Sequence, residues 1–265
     1  MSFKIASNRD MDYRSRRLIY SKLEEGYVFQ EEGLMMYSKK ALTYLVRLLV
    51  FPYGLFRLKM SNRVRDVHRF VEVAFGLWGI ISPAQIKEEI FALMKILSRV
   101  KPRVVLEIGT GRGGTLFLLT KVSDPEAMII SIDLPGGPFG GGYPKWRIPI
   151  FKSFVSNGQR MYLLRRDSHD PATLDQVKGV LKGGKVDFLF IDGDHTYEGV
   201  KKDFEMYSPM VKRRGLIAFH DICAKLPGTG CEVDKFWGKI KHAYQCTEIV
   251  KDWKQGWAGI GVLYV

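Results

Sequence analysis

The sequence predicts a doubly wound α/β protein built on a mostly parallel sheet. Through the second half of its 265 residues, short apolar runs alternate with amphipathic helical segments, which is typical of parallel strands joined by helices. Two of the apolar runs, near 104–114 and 188–195, stop abruptly at glycine and acidic residues. In an open parallel sheet such stops fall at the carboxyl ends of strands, where ligands bind.

The first predicted elements lie before this alternation begins. Residues 1–80 are predicted to be an N-terminal extension, with one or two helices over 37–80. Ser82 and Pro83 then predict a helix start, as an N-cap followed by a proline in the first helical position. Apolar residues follow at helical spacing, namely Ile86, Ile90, Leu93, Met94 and Leu97.

The alternating part predicts five strands, a set of connecting helices and a closing hairpin. The strands are expected near 103–108, 127–132, 160–165, 186–191 and 215–219. The helices are expected near 114–121, 145–156, 171–181, 196–207 and 232–242. Two further strand-like runs, 245–250 and 258–265, are joined by a connection too short for a helical crossover, so we expect an antiparallel C-terminal hairpin.

Composition and charge limit where the protein works and what it binds. Three cysteines do not make a disulfide framework and indicate a reducing, cytoplasmic compartment, with a Cys223–Cys231 disulfide as the less favoured alternative. No secretory signal is visible, and charged residues and a proline interrupt the longest apolar stretch, 41–58.

The net charge of +13 is concentrated in one segment. Residues 37–69 hold eight Lys or Arg residues and one acid, interleaved with apolar side chains. This pattern favours a helix pair with a solvated basic face. Two alternatives stay open: a membrane-peripheral contact with anionic lipid, and a contact with nucleic acid.

The first strand ends in a glycine turn of the form G-x-G-x-x-G, made by Gly109, Gly111 and Gly114. The spacing alone would admit a nicotinamide or flavin nucleotide. Glu107, however, suits a cationic or hydroxyl-rich ligand better than a pyrophosphate. Asp133 ends the next strand, where an acid can accept hydrogen bonds from a ribose diol. The third strand ends at Asp167 and Ser168, a pair suited to an adenine edge.

Six motifs together carry a resemblance to a known family: E-I-G-T-G-R-G-G, I-D, R-D-S, F-I-D-G-D-H-T-Y-E-G-V, G-L-I-A-F-H-D and G-I-G-V-L-Y. Over about residues 82–265 the chain resembles class I S-adenosylmethionine-dependent methyltransferases. It is most similar to the branch of sugar and macrolide O-methyltransferases and cephalosporin-hydroxylase-like proteins. The resemblance implies a seven-stranded Rossmann-like sheet, and a methyltransferase domain over residues 81–265.

The resemblance also implies a set of site residues. The S-adenosylmethionine contacts would be Glu107, Gly109, Thr110, Gly111, Gly113, Gly114, Asp133, Asp167 and Ser168. A divalent metal, Mg²⁺ or Mn²⁺, would bind Asp192, His220 and Asp221, although many relatives have a second carboxylate where this chain has His220. Asp192 would also be catalytic, and His195 would be the general base, mostly neutral at pH 7 if its pKa stays near about 6.5.

The resemblance implies O-methylation of a sugar, a polysaccharide precursor or a small natural product, and the chemistry of these residues suits assistance by a divalent metal. A cation lowers the pKa of a bound hydroxyl, an imidazole takes its proton, and Asp194 could supply a further metal oxygen. The alternatives are a nucleic-acid methyltransferase, which the absence of an N-P-P-Y-like motif disfavours, and a membrane-peripheral cofactor-binding protein without turnover. A homo-oligomer is not excluded.

Secondary expectations concern the acceptor side. The glycine-rich loop 134–143 is predicted to be either a mobile lid or a disordered surface insertion. Trp146 and Trp237 are candidate stacking surfaces for an acceptor ring, and each could equally be a core residue. His169 is expected to be a hydrogen-bonded loop histidine.

Overall fold

The computed structural model describes residues 66–77, 80–139, 142–223 and 229–265. Within these ranges the strands are β1 (Val104–Ile108), β2 (Met128–Ile132), β3 (Arg160–Leu164), β4 (Val186–Ile191), β5 (Val211–His220), β6 (Gln245–Ile249) and β7 (Ile260–Tyr264). They form one sheet in the order β3-β2-β1-β4-β5-β7-β6. The first five are mutually parallel, and β7 runs antiparallel to both β5 and β6. The predicted sheet class and closing hairpin are therefore confirmed.

Helices cover both faces of the sheet. They are α1 (Val67–Gly76), α2 (Lys87–Val100), α3 (Gly114–Val122), α4 (Ile148–Lys152), α5 (Pro171–Leu181), α6 (Tyr197–Tyr207) and α7 (Val233–Ile240). Short 3-10 turns lie at Lys145–Arg147, Ser208–Met210 and Lys241–Ala243. In the described ranges, no helix combines the length and the apolar character needed to cross a membrane.

Alternation along the strands divides the apolar side chains between two cores. Val105, Ile129 and Phe188 belong to one core, which α1 to α4 cover. Their chain neighbours belong to the other core, which α5 to α7 cover, namely Leu106, Ile130 and Leu189. Successive side chains of a strand point to opposite faces, so this division is what a sheet covered on both sides requires.

Helix α1, the first in the described ranges, packs into the same core as α2 and α3, through four buried side chains: Phe70, Val71, Val73 and Ala74. The predicted division of the chain at residue 80 stays a prediction, because residues 1–65 lie outside the described part. The same applies to most of the basic segment, of which only residues 66–69 are described.

The predicted helix start at Ser82 and Pro83 is wrong, because α2 begins at Lys87 after an N-cap residue, Ile86, that makes no side-chain capping bond. The 82–83 backbone lies against the first residue of α3 instead. A Cβ built on Gly114 would lie 2.0 Å from the backbone nitrogen of Pro83. Residues 82–83 therefore pack against the start of α3 and do not form the first turn of a helix.

The helix predicted over 145–156 is also shorter than expected. A 3-10 turn precedes α4, and α4 itself ends at Lys152. Pro149 explains the break, because proline lacks an N–H group and is tolerated only in the first turn of a helix. By contrast, Asp170 caps α5 as predicted, with its side chain accepting from the Ala172 amide.

The strand order places the carboxyl ends of β1, β4 and β5 side by side. In register, Ile108 pairs with Ile191, and Ile191 pairs with Phe219. The acids and histidines that follow these strands therefore share one edge of the sheet. The functional site is expected at this edge.

Candidate functional site

The glycine turn after β1 serves packing at three of its positions and leaves room for a ligand at one. A Cβ on Gly109 would lie 2.0 Å from the Asp192 carbonyl oxygen, and one on Gly113 would lie 2.3 Å from the Phe151 ring. Gly114 has the contact with residues 82–83 described above. Gly111 adopts a positive φ of 50° and has nothing within 4 Å of the Cβ position, so its surroundings are open to a ligand.

Glu107 is a fully buried carboxylate with one unpaired oxygen. The hydroxyl of Ser131 donates to Oε2 at 3.0 Å, and the hydroxyls of Ser131 and Thr110 contact each other. Oε1 has no hydrogen-bond partner. Burial raises the pKa of Glu107 well above its ordinary value, and the charges of Asp133 and Asp192 add to this effect. A buried polar atom without a partner indicates a place for a ligand's donor group.

Asp133, at the end of β2, is likewise a buried carboxylate with one unpaired oxygen. Its Oδ1 accepts from the Gly142 amide at 3.2 Å, while the buried Oδ2 has no partner. Burial raises the pKa of Asp133 to about 6, although amide donors including those of Gly142 and Tyr143 oppose the shift. The two unpaired oxygens and the open space at Gly111 lie along neighbouring strands. They fit a ligand that carries both a hydroxyl pair and a cationic group.

The third predicted cofactor position is more exposed. Asp167 accepts from the His169 amide at 2.8 Å. Ser168 is buried, and its carbonyl oxygen accepts from the Tyr207 hydroxyl at 2.7 Å. Both follow β3, which neighbours β2, so their assignment to an adenine edge stays a prediction.

Four residues from the ends of β4 and β5 form a carboxylate–histidine cluster: Asp192, His195, His220 and Asp221. His220 Nδ1 lies 3.1 Å from Asp192 Oδ1 and 3.4 Å from Asp221 Oδ1. His195 Nδ1 lies 3.1 Å from Asp221 Oδ2, and its Nε2 lies 3.5 Å from Asp192 Oδ1. Adjacent strand ends therefore bring together the residues that the sequence predicted as metal ligands and base.

In the cluster, the carboxylates and the histidines stabilise each other's charged forms. Burial opposes ionisation of Asp192, but the neighbouring His220 and His195 hold the pKa of its carboxyl below the ordinary value. Burial likewise disfavours the charged form of His195. Its hydrogen bonds to Asp192 and Asp221 outweigh that effect and raise the pKa of His195 well above its ordinary value. The expectation that His195 keeps an unperturbed pKa is therefore wrong.

The predicted metal set fits a divalent ion by its donors. One ligand atom from each of Asp192, His220 and Asp221 lies within 4.8 Å of the others. Two carboxylates and an imidazole suit Mn²⁺ or Zn²⁺, and suit Mg²⁺ less well because of the nitrogen donor. Asp221 has a positive φ of 67°, and its Oδ1 accepts from the Ala258 amide at 3.0 Å. Its carboxylate orientation is thus fixed from the antiparallel part of the sheet.

Two polar side chains that sequence reasoning missed support the cluster from α2 and the segment before it. Gln85 contacts Asp192. Glu89 is buried and accepts backbone amides from Lys251 at 3.0 Å and Gly259 at 2.9 Å, thereby holding the loop that presents Ala258 to Asp221. Glu89 was visible in the sequence as an acid beside the apolar stripe of the helix, whereas Gln85 precedes α2 and gave no such signal.

Asp194 has a different role from the one expected. Its Oδ1 accepts from the amide and the hydroxyl of Thr196, at 2.9 and 2.8 Å, at the start of α6. These bonds place Asp194 in a helix cap rather than among the metal candidates. His169 also lies outside the cluster, as expected for a loop histidine. Its Nε2 lies 3.3 Å from Asp203 Oδ1 and 3.1 Å from the Gly199 carbonyl oxygen.

The two candidate stacking tryptophans differ in burial. Trp237 is buried, and its indole donates to Glu248 at 2.6 Å, so it is a core residue and not a stacking surface. Trp146 is 52% exposed. In the glycine-rich loop, the Phe139 ring stacks on the His195 ring with 4.9 Å between centroids and 13° between planes.

No disulfide joins Cys223 and Cys231, so the alternative of a Cys223–Cys231 disulfide is wrong. Cys223 is buried, whereas Cys231 is half-buried beside the cluster, with Sγ 4.0 Å from Asp221 Oδ2. Sequence reasoning did not place Cys231 in the site.

Comparison with known proteins finds a family match over part of the chain. Residues 106–222 match the family described as methyltransferase domain. The chain is 25% identical over 192 residues to an uncharacterized protein of Sinorhizobium fredii, covering 69% of this chain and 20% of that protein. It is 33% identical over 118 residues to an uncharacterized protein of Acanthamoeba polyphaga mimivirus, covering 44% and 50%. The chain therefore spans half or less of the length of these relatives.

Among solved structures, the chain is similar to the O-methyltransferase from Bacillus cereus in complex with SAH. The match has 16% sequence identity and a TM-score of 0.52, and covers 85% of this chain and 97% of the other. At this identity the likeness concerns the fold. It agrees with the sheet order and the antiparallel hairpin described above.

Proposed function

We propose that the chain is a class I S-adenosylmethionine-dependent methyltransferase that methylates a hydroxyl group with the assistance of a divalent metal. One observation carries the proposal. Two buried carboxylates with unpaired oxygens, Glu107 and Asp133, share a sheet edge with the carboxylate–histidine cluster. A cofactor and a deprotonating group would thus meet across neighbouring strands.

The proposed binding of S-adenosylmethionine is supported by how each residue at its site suits one part of that molecule. Asp133 offers acceptor oxygens to a ribose diol, and Glu107 offers one to the ammonium group of a methionine. Gly111 leaves room for close backbone approach. S-adenosylmethionine supplies, when bound, a methyl group on a positively charged sulfur. The chain itself has to bind it, orient it and exclude water.

The acceptor side is supported by the cluster. A protonated hydroxyl is a poor nucleophile, and we assign the neutral form of His195 the role of receiving the proton. Because hydrogen bonds to Asp192 and Asp221 raise the pKa of His195, we expect this role at pH values above that pKa. Asp192 and Asp221 flank its two ring nitrogens and stabilise the imidazolium that forms. Asp192, His220 and Asp221 would hold the divalent ion, which lowers the pKa of a coordinated hydroxyl. A sugar, a polysaccharide precursor or a small natural product is the acceptor class we propose.

The test measures binding and transfer separately. Calorimetry is expected to show binding of S-adenosylhomocysteine and none of NAD. Labelled S-adenosylmethionine is then supplied with monosaccharides, nucleotide sugars and polyols, and in parallel with RNA and DNA. Methylation is expected in the hydroxyl panel. Binding of NAD without the S-adenosyl ligand would overturn the cofactor assignment, and methylation of nucleic acid alone would overturn the acceptor class.

A variant pair tests the base. His195→Ala is expected to lower turnover by about 100- to 10,000-fold while leaving S-adenosylhomocysteine affinity nearly unchanged. The matched control is His242→Ala, at an exposed position outside the cluster. Equal losses of rate and cofactor affinity in His195→Ala would instead indicate a structural role.

A further inference from the structure

We infer that the chain holds a second metal-binding arrangement, formed by His195, Asp221 and Cys231, which takes a thiophilic divalent ion such as Zn²⁺. This arrangement shares Asp221 with the metal set described above but adds a thiol and a second imidazole. The binding itself does not depend on the proposed function. Its consequence, that Zn²⁺ blocks proton transfer at His195, rests on that function.

The distances fit one ion. A ligand atom from each of the three residues lies within 4.8 Å of the others. His195 Nδ1 lies 3.1 Å from Asp221 Oδ2, and Cys231 Sγ lies 4.0 Å from the same oxygen. Zinc binds such atoms at 2.0–2.3 Å, so two ligands of a tetrahedral ion are about 3.3–3.7 Å apart. The two distances to Asp221 Oδ2 are therefore within about half an ångström of those in a tetrahedral zinc site.

The backbone holds the thiol beside the imidazole. The amide of Glu232, next to Cys231 in the chain, donates to the His195 carbonyl oxygen at 2.8 Å. On the other side, the Phe139 ring stacks on His195 and fixes the plane of the imidazole. Metal sites need ligands that are already oriented, because ordering them on binding weakens affinity.

Asp221 divides its two oxygens between the two arrangements. Oδ1 lies nearer His220, at 3.4 Å, and Oδ2 lies nearer His195, at 3.1 Å. The first arrangement has two carboxylates and one imidazole, whereas the second has one carboxylate, one imidazole and one thiol. Mg²⁺ prefers oxygen donors, and thiolate donors select Zn²⁺ and related ions. The first arrangement therefore suits Mn²⁺ as well as Zn²⁺, whereas the thiol makes the second arrangement selective for Zn²⁺ and related ions.

Zinc at the second arrangement would remove the lone pair that a base needs. An imidazole that ligates through Nδ1 carries its proton on Nε2, and Nε2 here faces Asp192 Oδ1 at 3.5 Å. Neither nitrogen can then accept a proton from a hydroxyl. We therefore expect Zn²⁺ bound at the second arrangement to inhibit an enzyme that Mn²⁺ at the first arrangement supports.

Cobalt tests the thiol ligand without any methyl-transfer assay. The full chain is titrated with Co²⁺ and read by near-ultraviolet absorption, where thiolate-to-cobalt charge transfer appears. We expect this band in the wild type and in Cys246→Ser, whose thiol is half-buried on β6, and its loss in Cys231→Ser. Retention of the band in Cys231→Ser, or Co²⁺ binding without the band in the wild type, overturns the inference.

Ion competition provides the second readout. Zn²⁺ is expected to bleach the cobalt band at equimolar amounts and to release a proton from the thiol, while excess Mg²⁺ leaves the band in place. Cys231→Ser should weaken Zn²⁺ binding at least about tenfold, while cofactor binding and thermal unfolding show that the variant is folded. Displacement by Mg²⁺ as readily as by Zn²⁺ refutes the site. Because these readouts need neither cofactor nor acceptor, their failure is distinct from failure of the proposed methyl transfer.

Discussion

Gln85 joins Asp192 to the helix that follows the glycine turn. Its Nε2 donates to Asp192 Oδ2 at 2.7 Å, and its Oε1 accepts from the Thr115 hydroxyl at 2.7 Å. The amide therefore occupies one carboxylate oxygen and leaves Oδ1 directed toward His195 and His220. A residue before α2 thus sets which oxygen of Asp192 is offered to the cluster.

This contact predicts that Gln85 tunes metal affinity. Gln85→Leu keeps the approximate size of the side chain but removes the donor, so Mn²⁺ binding should weaken by about 10- to 100-fold, as for other residues that orient metal ligands. Electron paramagnetic resonance titration of free Mn²⁺ measures this directly. Gln176→Leu, at an exposed position on α5, is the control. Unchanged Mn²⁺ affinity in Gln85→Leu would exclude the positioning role.

The metal set itself predicts joint dependence on two acids. Asp192→Asn and Asp221→Asn should each abolish the recovery of activity when Mg²⁺ or Mn²⁺ is returned after chelation, because both face one ion from adjacent strand ends. Methyl-transfer rates before chelation, after it and after metal return measure this. Asp175→Asn, exposed on α5, should behave as the wild type. A wild-type rate that chelation leaves untouched would refute metal assistance.

Asp133 predicts a pH-dependent cofactor affinity. Asp133→Ala should weaken S-adenosylhomocysteine binding by about 1–3 kcal/mol if a buried hydroxyl loses its acceptor. Burial raises the pKa of Asp133 to about 6, so protonation on going from pH 7 to pH 5 should weaken wild-type binding as well. Calorimetry across this range tests both statements. Asp133→Asn should flatten this profile, and an equally steep profile in that variant would assign the pH dependence elsewhere.

The buried pair of His169 and Asp203 predicts a pH-dependent stability. Asp203 is fully buried, and its hydrogen bond raises the pKa of His169 above the ordinary value. Because the pKa of His169 is higher in the folded state than in the unfolded state, its pairing with Asp203 stabilises the folded state fully below about pH 6.5. This stabilisation is lost as pH rises through the folded-state pKa. The destabilisation by His169→Gln in urea unfolding should therefore be larger at pH 6 than at pH 9. His242→Gln, at an exposed position, is the control, and equal differences at both pH values would contradict the ion pair.

The basic segment 37–69 predicts salt-sensitive binding to anionic lipid, although residues 37–65 lie outside the described part. Vesicles containing anionic lipid should retain the chain at low salt and release it as salt rises, since exposed charges are screened over about 8–10 Å at physiological ionic strength. Sedimentation with neutral vesicles is the control. Equal partitioning to both kinds of vesicle would indicate a packing role for the segment.

Much of the fold and of the cluster followed from local pattern. Apolar runs that stop at acids predicted the strands and their carboxyl ends, and parallel strands place those ends at one edge whatever the loops do. That is why Asp192, His195 and Asp221 were expected together and lie together. The antiparallel hairpin followed from the shortness of one connection alone.

The errors have physical causes that a single sequence does not display. The start of α2 depends on the contact between Gly114 and Pro83, which are distant in sequence. The raised pKa of His195 depends on two carboxylates from different strands. Cys231 lies outside β5 and β4, and a backbone hydrogen bond from Glu232 to His195 holds it beside the imidazole. Local periodicity predicts elements, but these contacts between elements decide the chemistry.

The hydrogen bonds from the amides of residues 251 and 259 to Glu89 affect when the metal set can form during synthesis on the ribosome. The loop that Glu89 holds supplies the Ala258 amide to Asp221. During synthesis, the metal-binding acids therefore emerge well before the loop that orients Asp221. A nascent chain released up to Cys223 already contains Asp192, His195 and Asp221, yet it lacks the donor that orients the last of these. We expect such a chain to gain metal affinity only once residue 259 has left the exit tunnel and the hairpin has docked.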